Sequence, residues 1–175
     1  MPDDALFAEA KAGTLRQNLG AEVTRMLKDP KAISLTKDFM GQWLEVRGLE
    51  QTPNLDKAMA ASMKGETEHF FNYIVANNRP ITDMLDGNYS FVDGRLAKLY
   101  GIPGITGDAF QKVQLDPAQR FGLLTQASIL AVTSKPLGDG LRTSPIVRGK
   151  FILENLFNQK IPPAPAGCAA AGGGR

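Results

Sequence analysis

Between Leu55 and Asn77 the apolar residues fall at helical spacing, and this stretch does most to decide what the chain can become. Met59, Met63, Phe70 and Ile74 share one face, with Thr67, Phe71 and Val75 beside it, and Asn77-Asn78-Arg79-Pro80 ends the run. A stripe that long must be buried against something, and the rest of the chain offers mainly further helices. Asp3 or Asp4 caps a short first helix carrying Leu6, Phe7 and Ala10, closed by Gly13. A second helix sets Val23, Met26 and Leu27 on one face and stops at Asp29-Pro30. A third, from Lys31 to Arg47, carries Leu35, Phe39, Trp43 and Val46, widened by Ile33, Met40 and Leu44, so it is expected to be largely buried.

Downstream the signals are shorter. Thr82 is placed to cap one turn around Met84 and Leu85 before the Asp86-Gly87 turn. Asp93 starts a short helix holding Leu96, Ala97 and Tyr100, closed by Gly101 and Pro103. Only Val113 to Leu115 alternates like a strand. Asp116-Pro117-Ala118-Gln119 combines an acceptor, a proline and a reciprocal glutamine, the pattern of a helix start, and aligns Phe121, Leu124, Ser128 and Val132 behind it. After the Gly138-Asp139-Gly140 loop, Ser144-Pro145 opens the last helix, with Ile146, Leu153 and Phe157 along one side and Ile152 and Leu156 adjacent. The expected fold is all-α: an irregular bundle of about six to eight helices with at most a minimal strand. The punctuation divides it into residues 1–115, a helical segment 116–160 packed on them, and a proline-rich linker and flexible tail, 161–175.

Several chemistries are excluded early. Lys and Arg number 20 against 18 Asp and Glu, a net charge of +2 that gives no electrostatic case for nucleic acid. One cysteine, Cys168, forms no internal disulfide, and one histidine builds no His-rich metal site. No apolar run is long enough to span a membrane. Met1-Pro2-Asp3-Asp4 is not the start of a signal peptide, which by itself says nothing of the compartment. The glycines at 101, 104 and 107 follow a helix and lack the strand–turn–helix setting of a phosphate loop.

His69, beside Glu66 and Glu68, invites a role as base or ligand, but it lies off the apolar stripe and reads as a surface histidine, with Glu66 a solvated or paired carboxylate. Met59, Met63 and Met84 read as gap-filling core, as do Trp43 and Phe39. The sharpest constellation is Arg142-Thr143-Ser144-Pro145-Ile146-Val147-Arg148-Gly149-Lys150. Free amides at a helix start, with Arg142, Thr143, Ser144, Arg148 and Lys150 around them, form a candidate anion site. The competing reading pairs these cations with acidic residues elsewhere and leaves Ser144 a simple cap. Gly149 inside this helix suggests a close approach there.

The chain resembles the helical domains DUF1592 and, after it, DUF1588 of planctomycete-type c-type cytochrome proteins. The resemblance rests on Arg25-Met26-Leu27-x-Asp29-Pro30, Asp38-Phe39-x-x-Gln42-Trp43-Leu44, Glu66-Thr67-x-x-Phe70-Phe71 and Leu96-Ala97-x-x-Tyr100-Gly101-Ile102. It continues through Arg120-x-Gly122-Leu123-Leu124-Thr125, Ser134-x-Pro136, Arg142-Thr143-Ser144-Pro145-x-x-Arg148-Gly149 and Pro162-Pro163. It implies an exported, periplasmic or cell-envelope protein whose c-type haem is attached in neighbouring regions, since Cys168 here has no second cysteine or histidine after it. The expected function is therefore a non-catalytic helical module that supports or docks its own haem domain, or another redox protein, with Arg142 and Arg148 receiving a propionate or an acidic surface. The alternatives are an enzyme domain using that anion site, with Glu66 and His69 as its only nearby acid–base pair, and a protein-interaction module signalled by an exposed apolar patch.

Overall fold

The computed structural model describes residues 2–137 and 140–162. The tip of the Gly138-Asp139-Gly140 loop, the second proline of Pro162-Pro163 and the tail with Cys168 lie outside them.

The first two helices form as their punctuation requires. In α1 (Asp4–Ala12) the Asp3 carboxylate accepts from Leu6 N at 3.0 Å, and Gly13 stops the helix in the left-handed region. Arg25, near the end of α2 (Leu15–Leu27), reaches back to Asp3 at 2.6 Å, so the two helices run antiparallel as a hairpin. Neither helix contains a buried residue. Val23, Met26 and Leu27 do share a face, but it remains 38–48% exposed.

The expected third helix breaks into pieces. A 3₁₀ turn at Pro30–Ala32 leads to a π-helical stretch, Leu35–Met40, then α3 (Gly41–Trp43) and a second 3₁₀ run, Val46–Gln51. A π turn takes one residue more than an α turn, so side chains four apart drift out of register. Met40, Leu44 and Val46 are fully buried, while Leu35 stays 40% and Phe39 54% exposed. Phe39, expected in the core, instead lies outside it, stacked on the half-buried Trp43 with centroids 5.8 Å apart.

The long helix is α4 (Lys57–Ala76), capped by Asp56 through Met59 N at 2.8 Å. It carries residues of both apolar clusters, one around Phe70 with Met40, Leu44, Leu123 and Ile129, the other around Ala60 with Leu49, Val92 and Leu96. Its interior Gly65 is required by packing, because a Cβ there would run into the Phe110 ring. Next come α5 (Asp83–Asp86), β1 (Tyr89–Val92), α6 (Gly94–Tyr100) and β2 (Gln111–Gln114). Thr82 precedes α5, yet its hydroxyl makes no cap. β1 and β2 pair antiparallel from Tyr89↔Gln114 to Val92↔Gln111, so the alternation at Val113, too short by itself to found a sheet, does pair, with a strand on the far side of α6.

The Asp116 motif makes only a turn. Asp116 accepts from Ala118 N at 3.0 Å and Gln119 Nε2 at 3.3 Å, but the chain leaves helical geometry at Gly122, which takes φ +58° to lie against the Leu85 carbonyl. A 3₁₀ turn, Leu123–Thr125, and α7 (Ala127–Val132) follow. β3 (Ser134–Leu137) and β4 (Gly140–Thr143) form an antiparallel hairpin. The last helix, α8 (Pro145–Phe151), continues as a π-helical turn, Ile152–Leu156. That turn again shifts the face: Phe151 is buried, whereas Ile146 is 84%, Leu153 38% and Phe157 65% exposed. Among the described residues a Cβ on Gly149 would meet nothing within 4 Å, so no helix makes the close approach expected there. The described residues are mostly helical with two small two-stranded sheets.

A reciprocal pair ties the end of the described chain to its first half. Trp43 Nε1 donates to the Asn155 carbonyl, and Asn155 Nδ2 donates to the Trp43 carbonyl, each at 2.6 Å. Replacing Asn155 by Ala removes one of these bonds and is expected to cost about 1–2 kcal/mol, read as a lower urea midpoint at unchanged m-value.

Candidate functional site

The structure gathers a polar cluster where α4, β1, α6 and the start of α7 meet. Its centre is Glu66, 1% exposed and therefore far from the solvated carboxylate the sequence suggested. The helical period that buries Phe70 also turns Glu66, one turn earlier, inward. Ser90 Oγ donates to one carboxylate oxygen and Tyr100 OH to the other, both at 2.6 Å. The Tyr100 oxygen in turn accepts from Ala127 N at 2.9 Å. Burial pushes the Glu66 pKa up to about 7, against the two hydroxyl bonds and the positive charge of Arg120. Burial, and then the Glu66 charge, push the Tyr100 phenol well above its ordinary range.

Arg120 forms the outer edge of this cluster. Its guanidinium lies 4.1 Å over the Tyr100 ring, and Nη1 donates to the Thr125 carbonyl at 2.8 Å. The next residue of α4, Thr67, donates from Oγ1 to Gln126 Oε1 at 2.8 Å, and that oxygen lies 2.5 Å from Ser128 Oγ. Gln126 Nε2 is buried without a hydrogen-bond partner among the described residues. One turn before Glu66, Ser62 Oγ donates at 2.5 Å to Asp93, which also caps α6 through Leu96 N. Beside Tyr100 and Arg120 a cleft of about 280 Å³ opens, walled by Ile102, Pro103, Leu115 and Gln119.

A second polar group borders the first core cluster. Tyr89 OH and Arg79 Nε both donate to Asp83 Oδ2, at 2.9 and 2.8 Å. Burial works against ionisation of Asp83, but these two bonds outweigh it and hold its pKa below the usual carboxylate range. Burial and the Asp83 contact push Tyr89 up to about 12. Lys112 lies over the Tyr73 and Tyr89 rings at 3.9 and 4.5 Å.

The cation cluster expected around Ser144 is only partly assembled. Ser144 caps α8 through Val147 N at 3.4 Å. Arg142, Thr143 and Ser144 line one cleft, and they share it with Lys135, which sequence reasoning missed. Lys135 faces Arg142 across the β3–β4 ladder, a pairing that only the unread hairpin creates. Arg148 turns away to Thr133 Oγ1 at 3.4 Å, and Lys150 lies 3.7 Å from Glu154. Glu66 and His69 do not form an acid–base pair: His69 is exposed, donates from Nδ1 to the Gly65 carbonyl at 2.8 Å, and stacks on Phe110 at 4.5 Å. Among the described residues no three His, Cys, Asp or Glu side chains gather where they could hold a metal ion, and no helix is long and apolar enough to cross a membrane.

Residues 1–102 match the family described as PSD4, protein of unknown function (DUF1592), and residues 120–173 match PSCyt3, protein of unknown function (DUF1588). No curated protein and no solved structure matches the chain. The Glu66 cluster spans the two matched stretches: Glu66, Ser90 and Tyr100 come from the first, and Arg120, Thr125 and Gln126 from the second. Both families are named for planctomycete cytochrome c-type proteins, and the chain, matched over more than half its length by the first, belongs to the DUF1592 family.

Proposed function

We propose that this chain is a non-catalytic helical module of an exported, periplasmic or cell-envelope c-type cytochrome-like protein, where it docks and supports a haem domain for electron transfer. One observation carries the reading. The α1–α2 hairpin presents Phe7, Leu19, Val23 and Met26 at 46–58% exposure and buries none of its own residues. Two helices with no buried residue have little to hold them in place unless another surface covers their apolar face. The families are named for cytochrome c-type proteins, which supports reading that surface as a neighbouring domain that carries the haem. In this reading Lys135, Arg142, Thr143 and Ser144 receive a propionate or an acidic patch of that domain, and Arg148 and Lys150 stand behind them on α8.

The test is made on the whole gene product, expressed in a host that matures c-type haem. Asp substitutions at Phe7, Val23 and Met26 are expected to loosen the haem domain, seen as new protease cleavage between the two and slower reduction of the haem. In parallel, Arg142→Ala with Arg148→Ala is expected to shift the haem reduction potential. A product that carries no haem, or variants with unchanged proteolysis, reduction and potential, would remove the proposal.

A further inference from the structure

We propose that the cleft beside Tyr100 binds a small monocarboxylate, its charged end on Arg120 and its apolar body against Ile102, Pro103 and Leu115. The site does not depend on the docking of a haem domain. It rests on how Arg120 is held. The guanidinium lies 4.1 Å over the Tyr100 ring and is anchored by one N–H to the Thr125 carbonyl, and among the described residues it has no carboxylate within ion-pair distance. Its remaining N–H groups keep the planar fork that a carboxylate matches with two parallel bonds. The cleft of about 280 Å³ suits a small ligand, and its walls combine Ile102, Pro103 and Leu115 with the amide of Gln119.

Asp116 sets the charge of the ligand. It lines the same cleft, and both its oxygens are already committed, one to Ala118 N and the other to Gln119 Nε2. A fixed negative charge at the rim tolerates one charge on Arg120 and repels a second, so phosphate and other multiply charged anions are disfavoured.

Occupancy is coupled to the interior. Arg120 supplies positive charge that favours ionised Glu66, and a carboxylate seated on it cancels part of that field. The groups facing Glu66 are few. α6 contributes the Tyr100 phenol, β1 the Ser90 hydroxyl and α7 the Ala127 N–H; on α4 itself the buried polar neighbours are Thr67, bonded to Gln126, and Ser62, whose partner Asp93 accepts from Leu96 N and lies 3.5 Å from Arg95. Binding of a monocarboxylate near neutral pH therefore draws a proton onto Glu66.

The probe is butyrate, with inorganic phosphate as the competing anion. Titrating butyrate into the labelled full chain is expected to move the amide resonances of Gly101, Ile102, Gln114, Leu115, Asp116 and Gln119. Calorimetry in two buffers of different ionisation enthalpy is expected to show proton uptake, which Glu66→Gln abolishes while butyrate still binds. Arg120→Lys, which keeps the charge and loses the fork, is expected to weaken butyrate about tenfold or more. Asp116→Asn leaves Arg120 untouched and is expected to admit phosphate. Absence of shifts in the native chain, shifts confined to Arg142–Ile146, or equal affinity for butyrate and phosphate in the native protein would overturn the site.

Discussion

Replacing Gly122 by Ala is expected to destabilise the protein by about 3 kcal/mol or more, enough to bring a domain of this size close to unfolding. Two independent obstacles add. The residue takes φ +58°, which a side chain resists, and a Cβ there would overlap the Leu85 carbonyl and lie 2.9 Å from the Met84 oxygen. Both oxygens belong to α5 backbone, so no rotamer change relieves the clash; α5 and the 3₁₀ turn at Leu123 would have to separate. Gly149→Ala is the control. It lies inside α8 with open space around its Cβ and no positive φ, so it should gain up to about 1 kcal/mol from helix propensity. Urea unfolding of the two variants against the native chain is expected to move the midpoint in opposite directions. Equal midpoints for native and Gly122→Ala would contradict the packing described.

Glu66 gives the second large effect, and it appears as a pH dependence. Its pKa is about 7 in the fold, against an ordinary value of 4.5, so between these limits the native state holds a proton that the unfolded chain has released. Stability from this group is complete below the lower value, declines as the pH rises, and is lost above the upper one. The span corresponds to about 3 kcal/mol. Asp83, Asp3 and Glu9 are all shifted downward, so they contribute stability that disappears only as the pH falls below the ordinary carboxylate range. Glu66→Gln isolates the buried group. The amide can accept from one hydroxyl and donate to the other, since Ser90 and Tyr100 each play either role. The native protein should lose stability from pH 4.5 to 7 relative to Glu66→Gln, whose curve should be flatter by about 3 kcal/mol across that window. Parallel curves would show that Glu66 ionises as freely in the fold as outside it.

Local signals served well where a partner lies within one helical turn. Asp3, Asp93 and Ser144 all accept from an amide three residues on, and Gly13 and Gly101 stop their helices at positive φ. Asp116 makes its local contacts too, but the long-range seating of Gly122 against α5 overrides them, and the sequence around 116 contains no trace of that demand. The π turns at Leu35–Met40 and Ile152–Leu156 are harder still, since the residues are ordinary helix formers and only tertiary packing selects the extra residue. The site was illegible for a similar reason. Glu66 meets Ser90 and Tyr100 across 24 and 34 residues, and a carboxylate next to an apolar stripe looks solvated until its partners are in place. The cation cluster was half legible: Arg142, Thr143 and Ser144 are neighbours in sequence, whereas Lys135 joins them only through the strand pairing.

The Trp43–Asn155 clasp has a kinetic meaning as well. It closes a loop of 112 residues, so its formation must wait until the intervening helices have already brought the ends together. A contact that arrives after the rate-limiting barrier leaves the speed of folding alone and governs how quickly the native state comes apart. Asn155→Ala is therefore expected to raise the unfolding rate and leave the folding rate unchanged, read from the two arms of a chevron plot.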